Sequence, residues 1–133
     1  MIEIGSERPG NFCWLDLAAV DSGRAQIFYR DVFGWVAAER QANGGTYMNL
    51  QSAGRSVGSL YQLSPRHLAQ QVPSHWTPYV RVDDVDVTAR RAATSGGSVV
   101  VQPFDVAGVA RIAMLTDSVG ALVGLLGPER DGR

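Results

Sequence analysis

Apolar and polar residues alternate along FCWLDLAAVD (12–21), with Leu15, Leu17 and Ala19 on one side and Trp14, Asp16 and Ala18 on the other. A period of two describes a strand with one face on a core. The period then changes. In SGRAQIFYRDVFG (22–34), Ala25, Phe28 and Val32 recur at helical spacing, Asp21 stands where an N-cap belongs, and Gly34 supplies a stop. Three short strands are expected next, at about 35–41, 45–51 and 55–63, with turn signals at NGG and SAG.

The second half repeats this order. WTPYVRVDD (76–84) sets Pro78, Val80 and Val82 against Thr77, Tyr79 and Arg81. Asp83 or Asp84 can cap VDVTARRAATSG, whose Val85, Ala89 and Ala92 form a buried stripe, and Gly96 closes it. Strands are expected at about 97–104, 109–116 and 121–126, separated by VAG and DSVG. The organisation is therefore an N-terminal arm (1–11), a first module (12–63), a linker (64–75), a second module (76–127) and a C-terminal tail (128–133). The fold class is α+β, as two tandem βαβββ modules. Each half is too small to stand alone, so the two should combine, leaving the sheet faces without helices to line a concavity.

Composition narrows the partners. The chain has 133 residues and a net charge of −1, with its basic residues, all arginine, scattered, so no basic face for nucleic acid or a membrane surface emerges. No apolar run approaches the roughly 20 residues of a membrane helix, and the opening MIEIGSERPG does not read as a secretion signal. Cys13 is alone, which excludes an internal disulfide and suits a reducing cytoplasm. Zinc-spaced Cys/His clusters, phosphate-binding glycine loops and nucleophile elbows are missing, so no cofactor is expected.

FYRDVFGW, VDDVDVTARRAATSGG and DSVGALVGLLGP, within paired βαβββ modules, resemble the vicinal oxygen chelate superfamily over about residues 10–127. That group contains glyoxalases, bleomycin-resistance proteins and extradiol dioxygenases. The resemblance implies sheets curled into a cupped cavity, within one chain or across a dimer. It also implies where metal-dependent members hold their ion. One ligand stands seven residues before each helix-capping Asp, and another is the Glu of a G-x-x-x-E pattern in each half. Those positions carry Trp14 and Thr77, and Gly58 and Gly124. Three of them cannot bind a metal and a lone Thr hydroxyl is a poor ligand, so no metal is expected. The two glycines should instead leave space in the cavity floor.

Strand alternation turns Trp14, Asp16, Tyr79 and Arg81 toward the concave face. Matching Met48 and Leu50 to Ile112 and Met114 as core residues adds Tyr47, Asn49 and Arg111. With Gly58, Thr77 and Gly124, these make a pocket of flat aromatic walls and a few polar groups, as small-molecule sites have. In the alternative, Asp16 pairs with Arg81 or Arg111 and the aromatics simply pack. Trp14 is the expected stacking wall, while the two arginines favour an anionic or carbonyl-rich ligand. His75 reads as an exposed or interface residue, His67 as part of the linker, and Tyr61 and Trp35 as packing residues. Phe28, Tyr29 and Phe33 read as core or helix-interface residues, and Cys13 as a structural thiol.

Binding of a small, aromatic or carbonyl-bearing molecule without metal is the leading reading. The alternative is a metal-independent lyase or isomerase using acid–base groups such as Asp16, Tyr79 and Arg111. A third is a degenerate module that dimerises with or regulates other proteins. Unpaired module edges further suggest a homodimer.

Overall fold

The computed structural model describes residues 8–42 and 45–130. Its elements run β1 (Phe12–Ala19), α1 (Ser22–Phe33), β2 (Val36–Ala42), β3 (Gly45–Ser52), β4 (Arg55–Gln62), α2 (Pro65–Ala69), β5 (His75–Arg81), α3 (Val85–Ala93), β6 (Ser98–Val106), β7 (Ala110–Thr116) and β8 (Leu122–Gly127). This is an α+β chain in which the order βαβββ occurs twice. Part of the NGG turn, residues 1–7 of the arm and 131–133 of the tail lie outside the described residues.

Capping explains where the helices begin. Asp21 accepts the N–H of Arg24 at 3.0 Å, and Asp84, rather than Asp83, accepts that of Val87 at 3.0 Å. Each satisfies one of the donors that a helix start leaves unpaired. Gly34 ends α1 in the left-handed region at φ 75°, where glycine carries no steric penalty. The second stop differs: α3 ends at Ala93 and is capped by Thr94, two residues before Gly96. The expected linker also holds a short helix, α2, with Ser64 as its cap and Pro65 in its first turn.

The chain divides into two compact units. The first is Leu15–Thr77, and the second joins residues 8–14 to 78–130. In the first, the strand order is β2-β3-β4-β1, with β1 parallel to β4 and the other neighbours antiparallel. Leu17, Ala19, Leu50 and Leu60 are buried under α1, which contributes Ala25 and Tyr29. The expected helix stripe is displaced. Phe28 and Val32 are 54% and 55% exposed, because the sheet meets the neighbouring side of the helix, the one bearing Tyr29.

In the second unit the order is β5-β8-β7-β6, with β5 and β8 parallel. Val85 and Ala89 of α3 pack on Ala113, Leu115 and Leu125, with Ala92 beside them, so the expected α3 stripe is present. That packing reverses the expected faces of β7. Ala113 and Leu115 turn toward the helix, Arg111 turns with them, and Ile112 and Met114 lie on the open face.

Candidate functional site

The first unit presents a polar row on the sheet face turned away from α1. Register places Asp16 of β1 opposite Ser59 of β4, Ser59 opposite Asn49 of β3, and Asn49 opposite Ala38 of β2. Residues paired in this way project to the same side. Ser59 Oγ donates to Asp16 Oδ1 at 2.8 Å. Asn49 Oδ1 accepts from Gln51 Nε2 and Ser56 Oγ, both at 3.0 Å, which holds the amide in place. Tyr47 and Tyr61, two residues from Asn49 and Ser59 along their strands, share this face.

Burial governs the chemistry of the row. Desolvation pushes the Asp16 carboxyl up to about 6, against the opposing effects of the Ser59 hydrogen bond and of His75. Tyr61 is pushed up to about 12, first by burial and then by the charge of Asp16. His75 Nδ1 lies 2.9 Å from the carbonyl oxygen of Pro73. A carbonyl only accepts, so Nδ1 carries a proton toward it. The row can therefore donate to a carbonyl through the Tyr61 phenol and through Asp16 when protonated. Ionised Asp16 can accept.

Ser59, Tyr61 and His75 escaped the sequence reading for identifiable reasons. Counting four residues from Gly54 gives Gly58, but β4 carries one extra residue. Leu50 pairs with Gly58 while its neighbour Gln51 pairs with Ser56, which leaves Val57 as a bulge. The position equivalent to Gly124 is therefore Ser59. Gly58 lies on the helix side of the sheet, and a Cβ there would come within 2.6 Å of the Leu15 carbonyl oxygen. It is glycine because a neighbouring backbone passes close by, and it leaves no space on the open face. Tyr61 and His75 approach Asp16 through strand pairing and chain return, which no local pattern reports.

In the second unit, Tyr79 pairs with Gly124 as Asp16 pairs with Ser59. A Cβ on Gly124 would collide with the Tyr79 ring, so the expected gap is filled by that ring. Tyr79 is only 3% exposed. Arg111 does not reach the open face. Its Nε and Nη2 donate to Asp86 at 2.7 and 3.0 Å, and its Nη1 to Asp105 Oδ1 at 3.2 Å. Arg130 adds a contact to Asp86 at 3.1 Å. The Arg111 hydrogen bonds hold the Asp86 carboxyl below its usual range, and the two carboxylates hold the guanidinium further up. A cavity of about 470 Å³ lies on this helix side, between α3 and β6, with Asp86, Arg90 and Gln102 in its lining.

Trp14 is half-buried on β1, Thr77 is only 1% exposed, and Cys13 is a buried free thiol. At the four positions tied to metal by family resemblance, with the bulge counted, stand Trp14, Ser59, Thr77 and Gly124. An indole, two hydroxyls and a hydrogen do not form a donor set for a divalent ion. Among the described residues, no three of His, Cys, Asp and Glu come together in a way that could hold one.

Comparison with known proteins gives the family and the fold. The family described as "Glyoxalase/Bleomycin resistance protein/Dioxygenase superfamily" matches residues 13–125. The chain belongs to this superfamily. It is 32% identical over 120 residues to "Putative glyoxylase CFP32" of Mycobacterium bovis, a match spanning 89% of this chain and 46% of that protein. It is 33% identical over 124 residues to "Anthracycline biosynthesis protein DnrV" of Streptomyces peucetius, spanning 85% of this chain and 45% of that one. The chain thus spans a little under half the length of these curated relatives. In fold it resembles the crystal structure of methylmalonyl-CoA epimerase from Mycobacterium tuberculosis, with a TM-score of 0.61 at 21% identity over 90% of this chain and 87% of that one. No helix among the described residues is long and apolar enough to cross a membrane.

Proposed function

We propose that this superfamily member is a metal-free binding protein for a small, flat, carbonyl-bearing molecule, held on the open face of the first unit. The observation that carries this reading is the Asp16–Ser59 pair. A desolvated carboxyl with a single hydrogen-bonding side chain weakens a fold, so its presence on an open sheet face points to a task. Tyr61 and the Asn49 amide supply donors for a carbonyl, and Tyr47 and Tyr61 supply rings for stacking. The donor set at the family's ligand positions supports the absence of a metal. The name of DnrV makes anthraquinones sensible first probes.

A second reading is favoured by the Asp16 pKa itself. A group titrating near 6 is matched to proton transfer at ordinary pH, as a metal-independent lyase or isomerase requires. Calorimetric titration of hydroxyanthraquinones, with product analysis of the same mixtures, tests both. Binding should weaken by about ten-fold or more in Asp16→Leu, which removes a charge-assisted hydrogen bond. Chemical conversion that Asp16→Asn abolishes would favour the enzyme. Affinity independent of Asp16, or one transition metal per chain retained after dialysis against chelator, overturns the reading.

The same reading takes the molecule as a cytoplasmic homodimer. Its support is the uncovered flank of α1, where Phe28 and Phe33 stay exposed beside Tyr29, Trp35 and Trp76. Light scattering should then report twice the chain mass of 14.3 kDa. A monomer at high micromolar concentration contradicts it.

A further inference from the structure

We propose that Arg81 anchors a separate binding site, on the open face of the second unit, for an apolar or aromatic ligand that carries a carboxylate. The site is independent of the first-unit reading.

Register sets the surroundings. Arg81 of β5 pairs with Leu126 of β8, Leu126 with Ile112 of β7, and Ile112 with Phe104 of β6. The row is thus one guanidinium followed by three apolar side chains, and Phe104 is 39% exposed at its outer end. Met114 lies on the same face, one row along, opposite Gly124. Such a surface buries a hydrocarbon body and offers one charged group at its edge.

Within that row, Arg81 is unmatched. Among the described residues, its Nε is the one buried side-chain nitrogen or oxygen with no hydrogen-bond partner. None of the ion pairs formed by described residues includes it. The great majority of buried polar atoms in proteins are paired, and an exception asks for an explanation. The same unit shows how it treats a guanidinium that serves the fold: Arg111 is held by Asp86 and Asp105. Arg81 receives no such partner, although its backbone is held at both its N–H and its carbonyl. Its N–H donates to the Asn11 carbonyl, and its own carbonyl accepts from Gly10 N–H, both at 2.8 Å. A fixed root with an unsatisfied head is a preorganised donor. The two terminal nitrogens, which unlike Nε are not buried, form a fork that a planar carboxylate fills with two parallel hydrogen bonds. The apolar row beside it selects an aryl or alkyl carboxylate over a bare anion.

The test uses the full chain, labelled with ¹⁵N, and two probes of equal shape, 2-naphthoate and 2-naphthamide. Naphthoate should bind about ten-fold tighter than the amide or better, and about ten-fold tighter than acetate or inorganic phosphate, because it alone meets both the fork and the apolar row. The Arg81 Nε–H resonance should move with saturation at the same dissociation constant. Arg81→Met keeps the apolar stem, so it should lose the preference for naphthoate, leave naphthamide binding unchanged, and melt no lower than the parent. Equal affinity for naphthoate and naphthamide overturns the proposal, as does naphthoate binding unaffected by Arg81→Met. Phosphate bound as tightly as naphthoate does the same. A lowered melting temperature with unchanged naphthoate affinity assigns Arg81 to the fold instead. Should Arg81→Met not fold, Arg81→Lys retains charge without the fork and should weaken naphthoate by about three-fold or more. Unchanged binding there overturns the proposal.

Discussion

The two units share an element order and invert their polarity. The first places its partly buried, desolvated carboxyl on the open face and fastens its helix with aromatic rings: Tyr29 stacks on Trp35 at 5.1 Å, and its hydroxyl accepts from Trp76 Nε1 at 3.2 Å. The second places its charges under the helix, where Arg111 joins β7 to Asp86 of α3, and keeps its open face apolar except for Arg81. Two equivalent positions capture the inversion, Asp16 with Ser59 in one unit and Tyr79 with Gly124 in the other. A repeated backbone therefore need not repeat its chemistry. What each unit leaves desolvated or unsatisfied differs accordingly, Asp16 in one and Arg81 Nε in the other.

The inversion can be broken most forcefully at Arg111. Arg111→Met removes the main partner of Asp86 and Asp105, which stay partly exposed, and should cost about 1.5–3 kcal/mol, the range for hydrogen bonds to charged groups. Urea denaturation near neutral pH reads the loss. Because Asp86 is depressed in the fold, its contribution is present above the ordinary carboxylate range and disappears as pH falls through the native value. The deficit of the variant should therefore shrink in acid. An equal deficit at all pH values would make the role of Arg111 one of packing alone.

Asp16 carries the opposite sign. Its carboxyl is raised, so its contribution to stability is complete below the unfolded value of 3.8 and is lost as pH rises through about 6. The gap corresponds to about 3 kcal/mol at most. Asp16→Asn should accordingly be more stable than the parent at pH 7, with the advantage fading toward pH 4. A variant less stable at pH 7 would show that the carboxylate is welcomed by its surroundings. The two units would then differ less than their faces suggest.

Smaller effects sharpen the comparison. Gly124→Ala drives a methyl into the Tyr79 ring and should cost about 2 kcal/mol, as overpacking does. In a Tyr79→Ala background the same change should cost close to nothing, and a double-mutant cycle measures the coupling. Ser59→Ala removes the hydrogen bond that favours the Asp16 carboxylate, and should raise that pKa further by about 1 kcal/mol of lost interaction. The carboxyl carbon shift of Asp16 across a pH titration reads it directly.

Local signals made much of this legible in the sequence. Strand alternation, the Asp21 and Asp84 caps and the Gly34 stop are each decided within a few residues, and the βαβββ order follows from them. Failures came where a decision depended on distant pairing. Both sides of β7 are apolar, so no period-two signal says whether Ile112 and Met114 or Ala113 and Leu115 face the helix, and Arg111 went with the wrong set. A single bulged residue at Val57 moved the equivalent of Gly124 from Gly58 to Ser59. The flank of α1 that carries Phe28 and Val32 is apolar enough to look buried, and only packing shows that Tyr29 does the covering. Asp16 and Asn49 were found on the open face because their own strands alternate cleanly. Their partners Ser59 and Tyr61 follow only from register.

The meeting of Tyr79 with Gly124 also constrains the order in which such a site can change. Asp16 and Ser59 show that this backbone accepts a side chain at both positions when both are small. An aromatic ring at the first position requires the second to have lost its side chain already. Passage from a carboxyl-and-hydroxyl pair to a tyrosine-and-glycine pair must therefore run through glycine first, and the return must shed the ring first. The two routes are not equally open to single substitutions. An ancestor bearing serine opposite the ring would be the least stable member of any reconstructed series.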